Sequence, residues 1–165
     1  MKATEIKNLQ RDVDSFTRGY LIAALWSTTG PAHGECPCCG EVALLDKWPE
    51  EEFERQEMCS GPECGTRETN HEPPLDENYS WTDIAPECLQ AMLDDCAKFQ
   101  AENDLTGYPK EQAGHDFWLT RAGHGCGFWE NDYGTEEQCA ALTAACDRLG
   151  EFYLYPGDNG KLYGN

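Results

Sequence analysis

Residues 114–129 read Gly-His-Asp-Phe-Trp-Leu-Thr-Arg-Ala-Gly-His-Gly-Cys-Gly-Phe-Trp, and no other stretch restricts the fold of this chain so tightly. Four large aromatic rings need a buried home, while glycines at 114, 123, 125 and 127 permit positive φ or a close approach of backbone. Phe117 and Leu119 alternate with Trp118 and Thr120, the period of a strand. The stretch is therefore expected to form a β-hairpin, with residues 116–120 as one strand, 121–125 as the turn and 126–129 as the return. Aromatic pairs facing each other across such a hairpin would hold a core without any chemistry.

The same stretch also carries polar groups that a plain core does not need. A carboxylate beside a histidine fixes its tautomer and basicity, so His115, Asp116 and His124 are candidates for an acid and base pair or for a metal site. Trp118, Arg121, His124 and Trp129 are candidates for a recognition surface, because tryptophan and arginine anchor interfaces. Structural core, interaction surface, and a small hydrolase-type or metal-dependent enzyme remain three open readings of one stretch.

Helices are expected on either side. From residue 4 to about 27, Ile6, Leu9, Val13, Phe16, Tyr20 and Ala24 form an apolar stripe, widened by Leu21 and Leu25, and Gly30-Pro31 ends it. Pro86 suits a first turn, and Leu89, Met92, Cys96 and Phe99 follow at helical spacing, predicting a helix over about 84–103. Cys88 and Cys96 then lie near its apolar face as small buried hydrophobes. Thr135 to Gln138 reads as a capping box; Cys139, Leu142, Cys146 and Leu149 form a third stripe that Gly150 stops. Residues 109–113 suit one further helical turn. Residues 152–155 and 161–163, joined by Pro-Gly-Asp-Asn-Gly, predict a closing hairpin.

Between the first two helices, Cys36-Pro37-Cys38-Cys39-Gly40 and Cys59-Ser60-Gly61-Pro62-Glu63-Cys64-Gly65 place two thiolate pairs at zinc-ribbon separation. Cys36, Cys39, Cys59 and Cys64 suit tetrahedral zinc, with Cys38 a spare thiol or an alternative ligand. The run from Glu41 to Trp48 can supply a short strand, and His33 and His71 read as solvated. Such a ribbon serves either as a docking adaptor or as a structural staple for a segment too small to bury its own core.

Acidic side chains outnumber basic ones 31 to 12, for a formal charge of -19. Residues 1–30 are net +1, residues 31–74 net -8 and residues 75–165 net -12, so the negative field lies beyond the first helix. That field opposes direct contact with nucleic acid or an anionic membrane and calls for a positively charged partner. No apolar run follows Met1-Lys2-Ala3, and nowhere do eighteen apolar residues occur in succession. Neither an export signal nor a membrane span is expected, and a reducing cytoplasm favours metal-bound over disulfide-bonded cysteines.

Read in order, Ala24-Leu25-Trp26-Ser27, Pro74-Leu75-Asp76-Glu77-Asn78-Tyr79, Asp83-Ile84-Ala85-Pro86-Glu87 and the Gly-His-Asp-Phe-Trp-Leu-Thr-Arg block at 114–121 resemble a family of small uncharacterised proteins encoded by tailed bacteriophages. The His-Gly-x-Gly-Phe-Trp block at 124–129 and the Tyr-x-Gly-Asp-x-Gly-Lys turn at 155–161 belong to the same resemblance, which covers roughly residues 10–30 and 74–163. It implies a protein of the infected host's cytoplasm and brings no catalytic residue with it. Members of that family run from the Ala-Leu-Trp-Ser helix end almost directly into the Pro-Leu-Asp segment, so the zinc-ligand segment resembles an insertion into a loop.

The expected architecture is α+β: about three helices packed on a small antiparallel sheet of two hairpins, from residues 1–30 and 74–165, with a zinc-ribbon-like insertion at 31–73 holding structural zinc. The expected function is binding and inhibition or modulation of a host protein. A partner that itself binds nucleic acid would suit charge that imitates a phosphate array. Acidity also serves solubility, and an enzyme centred on His115, Asp116 and His124 or a zinc-ribbon adaptor are the rival classes.

Overall fold

The computed structural model describes residues 13–30 and 74–165, together with the strand backbones at 33–35 and 42–44. Among the described residues the fold is α+β, with four α-helices rather than three: α1 (Ser15–Trp26), α2 (Pro86–Glu102), α3 (Lys110–Ala122) and α4 (Glu136–Leu149). Two short antiparallel hairpins accompany them, β1 (His33–Glu35) with β2 (Val42–Leu44), and β3 (Leu154–Pro156) with β4 (Leu162–Gly164).

Helix α1 starts later than its stripe predicts. Asp14 is extended, and its carboxylate accepts from the Thr17 amide and hydroxyl, both at 3.0 Å, so it caps the helix. Partial burial alone would raise its pKa, but the bonds from Thr17 and Gln100 hold the carboxyl below its usual value. The expected Ile6 and Leu9 positions lie outside the described residues.

The central stretch does not form a hairpin. Residues 110–122 are helical, and Ala113, Gly114 and every residue from Asp116 to Ala122 are buried. A helix enclosed on all sides loses the one-sided stripe that marks an amphipathic helix, and four residues of it then mimic strand alternation. The expected hairpin turn is instead a helix stop. Gly123 adopts φ 67°, its amide donates to Thr120 O, and the His124 amide donates to Leu119 O at 3.0 Å, which is a Schellman motif. In place of the returning strand expected at 126–129, Phe128–Glu130 form a single 3-10 turn.

Helix α3 is held centrally because α1 meets it backbone to backbone. A Cβ at Gly19 would collide with the Glu111 carbonyl, and one at Gly114 with the Phe16 carbonyl. These reciprocal glycines let Phe16, Tyr20, Phe99, Phe117 and Trp118 close over the crossing; Phe99 and Phe117 stack at 4.1 Å, and Tyr20 meets Trp118 edge-on at 5.3 Å.

The flanking elements follow the sequence more closely. Pro86 opens α2 at its first position, and Cys88, Leu89, Met92, Cys96 and Phe99 are buried. Thr135 caps α4, whose Cys139, Leu142 and Cys146 face the core. Gln138 does not complete the capping box. Its amide reaches Asp104 O at 3.0 Å and Thr106 O at 3.2 Å, tying α4 to the connection before α3. The closing hairpin is pinned to the start of α2, since the Ala85 amide donates to Leu162 O at 2.8 Å and Lys161 Nζ to Thr82 O at 2.9 Å.

Thr29 and Pro74 pair as an isolated antiparallel bridge, and the Leu75 amide donates to Thr28 O at 2.9 Å. The chain therefore leaves the helical body and re-enters it at adjacent positions. No helix among the described residues is long and apolar enough to cross a membrane.

Candidate functional site

The polar side chains of α3 gather in two places. Toward its N-terminal end Asp116 is buried, and its carboxylate accepts from the Tyr108 hydroxyl at 2.6 Å and from Gln112 Nε2 at 2.7 Å. His115 Nδ1 stands 3.4 Å from the same carboxylate and 3.4 Å from Gln112 Nε2. The two short bonds from neutral donors dominate over these long ones. Burial, followed by donation to Asp116, raises the Tyr108 phenol well above its ordinary pKa, so Tyr108 stays a donor.

His115 and Gln112 are the members of this cluster that reach the surface. The His115 ring stacks on Trp26 of α1 with centroids 5.4 Å apart and planes 26° apart. It borders an open groove of about 330 Å³, floored by Gly19 and walled by Ile22, Pro109, Glu111, Gln112 and Tyr133. Tyr133 in turn lies 5.8 Å from the Tyr108 ring.

Toward the C-terminal end Arg121 is 5 % exposed. Its Nη1 donates to Asp95 Oδ2 at 2.7 Å and to the Tyr20 hydroxyl at 3.0 Å, and its Nε donates to Gly150 O at 3.0 Å. The guanidinium lies over the rings of Phe117 and Phe152. Trp118 is fully buried, and its Nε1 donates to Ser27 Oγ at 2.8 Å, which donates onward to Ala23 O. Thr120 Oγ1 donates to Asp116 O at 2.6 Å and accepts from the Phe128 amide at 3.0 Å, anchoring the segment beyond the helix.

Two sequence expectations are corrected by this placement. His115 and Asp116 meet, but His124 lies beyond the helix stop at Gly123 and is exposed. The proposed triad does not converge, and among the described residues no group of three or more histidine, cysteine or acidic side chains could hold a metal. Trp118 and Arg121 are interior, not parts of a recognition surface, because the all-round burial of α3 turns them inward. His124 and Trp129 remain at the surface. Cys36, Cys39, Cys59 and Cys64 lie outside the described residues.

Residues overlooked by sequence reasoning complete the site. Tyr108, Gln112 and Asp116 are spaced four apart, a signal that appears once residues 110–122 are read as a helix. Ile22 and Tyr133, 42 % and 49 % exposed, border the groove without any sequence signal, and Trp26, 42 % exposed, stacks on His115 beside it. Within residues 13–30 and 74–165 all acidic side chains are exposed apart from half-buried Asp83 and Asp95 and buried Asp116. No family model, curated protein or solved structure matches this chain.

Proposed function

We propose that this chain is a bacteriophage protein that acts in the infected host's cytoplasm by binding a basic, nucleic-acid-binding host protein and competing with the phosphate backbone for it. The observation that carries this reading is the exposure of nearly every acidic side chain in the helical body, against few exposed basic ones: Arg18, Lys98, Lys110 and Arg148. An outward negative field of this kind steers a basic groove toward it and weakens steeply with salt. Of the groups that suggested chemistry, Asp116 is held by Tyr108 and Gln112, and of those that suggested a recognition surface, Trp118 and Arg121 are spent on bonds within the fold.

The test is capture of host proteins on the purified chain at moderate salt, followed by elution with duplex DNA. Nucleic-acid-binding proteins released by DNA are the expected outcome. Partners that DNA does not displace would refute charge imitation, and the absence of any partner would remove host binding altogether.

The zinc reading is a separate proposal, for a structural metal at Cys36, Cys39, Cys59 and Cys64 in an insertion at 31–73. It draws support from the antiparallel pairing of Glu35 with Val42, which flank the first cysteine pair in sequence, and from the adjacency of Thr29 and Pro74, which a loop insertion requires. Four thiolates supply the donor set zinc prefers. Metal analysis should find about one zinc per chain. Serine at any two of the four positions should abolish it, and a native protein without zinc sinks the proposal.

A further inference from the structure

Two hollows flank the exposed stripe of α1, and they differ in charge. One is lined by Arg18, Ile22, Leu25, Tyr79, Ser80 and Trp81, so a cation sits on its wall. The other, about 330 Å³ between α1 and the start of α3, is walled by Ile22, Pro109, Glu111, Gln112, His115 and Tyr133. Among the described residues its lining has a carboxylate and no lysine or arginine. Lys110 precedes Glu111 but does not line the groove.

Its negative character has more than one source. Glu111 is exposed and enters no ion pair among the described residues. Asp132 precedes Tyr133 and lies close enough to act on the Tyr108 phenol, and Asp116 lies behind Gln112 and Tyr108. Around these carboxylates stand ring faces and an aliphatic wall. Tyr133 and Ile22 are both more than two-fifths exposed, and His115 is fixed in orientation by its stack on Trp26.

We propose that this groove receives an arginine side chain of the basic partner, its methylene stem against Ile22 and Pro109, its guanidinium against the ring faces of Tyr133 and His115, and Glu111 as counter-charge. The inference rests on the reading that the partner is basic, and gives that reading a place. An ammonium group would use the carboxylate alone, whereas a planar guanidinium uses the rings as well. Charge complementarity selects this hollow over its neighbour, where Arg18 would repel the same side chain.

The experiment is a nitrogen-15 NMR titration of the full chain with N-acetyl-arginine amide, with the citrulline and lysine counterparts as controls. Saturating shifts centred on Gly19, Ile22, Gln112, His115 and Tyr133 are expected for arginine and not for neutral citrulline. Glu111→Gln and Tyr133→Ala, both at exposed side chains, should each weaken binding about threefold to fivefold while leaving the rest of the spectrum in place. Equal responses to lysine and arginine overturn the guanidinium assignment. Shifts spread over Glu136, Glu137 and Asp147 without saturation at the groove overturn the site, but leave an acidic binding surface standing. No response to arginine, together with no binding of an oligo-arginine peptide at low salt, overturns both the site and the basic-partner reading.

Discussion

Asp116 and Arg121 are buried charges on one helix, five positions apart, and the fold treats them differently. Arg121 joins distant parts of the chain: Tyr20 on α1, Asp95 on α2 and Gly150 at the end of α4 all converge on its guanidinium. Asp116 is satisfied locally by Tyr108 and Gln112, with no lysine or arginine against it among the described residues. Each cluster holds a buried tyrosine in the opposite role, since the Tyr20 hydroxyl accepts from Arg121 while the Tyr108 hydroxyl donates to Asp116. The first cluster is closed and serves assembly of the helices. The second borders the groove through His115 and Gln112, so its loosening should be felt at the surface before it is felt in the core.

The largest expected effect is at Arg121. Arg121→Met keeps apolar volume between Phe117 and Phe152 but strands the Tyr20 hydroxyl and the Gly150 carbonyl, and leaves Asp95 without its partner. A loss of about 3 kcal/mol is expected by denaturant titration. Asp95→Asn should cost about 1 kcal/mol, because that side chain is 29 % exposed and water replaces part of what it loses. Equal losses at the two positions would show that the ion pair, rather than the convergence on Arg121, holds the helices together.

At the other cluster, Tyr108→Phe removes one of two short bonds to a buried carboxylate and should cost about 2 kcal/mol, against about 1 kcal/mol for Tyr20→Phe, where Arg121 keeps two further acceptors. The heavier loss should also perturb the groove, read as shifts of the His115 and Tyr133 resonances that Tyr20→Phe does not produce. Groove shifts of the same size in both variants would erase the distinction between a local and a closed cluster.

Alkaline pH probes the two tyrosines together. Burial raises both phenols and pushes the thiols of Cys88 and Cys146 up to about 11 and about 12. These groups stay protonated in the native protein at a pH where the unfolded chain has lost their protons. Stability is therefore fully present below about pH 9, falls as the unfolded thiols ionise, and falls further above about pH 10 as the unfolded phenols follow. Each group contributes a slope of about 1.4 kcal/mol per pH unit until its native form titrates. Tyr108→Phe should flatten the limb above pH 10, as measured by urea midpoints across pH, and an unchanged limb would place the loss in Tyr20 and the thiols.

Much of this arrangement was legible wherever one face of an element meets water. The stripes at Leu89, Met92, Cys96 and Phe99 and at Cys139, Leu142 and Cys146 mark helices that the structure contains, and the Gly-Asp-Asn-Gly turn marks the hairpin that closes it. Helix α3 was illegible for the opposite reason. With both sides of residues 116–122 enclosed, the distinction between periods of two and 3.6 disappears, and Phe117 to Thr120 alternate well enough to suggest a strand. The site suffered the same loss. His115 and Asp116 are adjacent in any conformation, but Tyr108 and Gln112 join them only on a helix, and Trp26 reaches His115 only because Gly19 and Gly114 bring two helices into backbone contact.

Gly123 shows how the misread turn can be tested with the smallest effects. In a hairpin, residues 121–125 would form a turn between paired strands, and a change at either Gly123 or His124 would disturb register and cost stability at both positions. In a Schellman stop only Gly123 needs the left-handed backbone, at φ 67° and ψ 23°, while the His124 side chain is exposed. Gly123→Ala meets no neighbour within 4 Å and is opposed by backbone strain alone, so it should cost about 1 kcal/mol. His124→Ala should then change stability by less than about 0.5 kcal/mol. Since His124 stands apart from Asp116, it should also leave arginine binding at the groove unchanged, and a measurable loss there would bring His124 back to the site from which its place on the chain removes it.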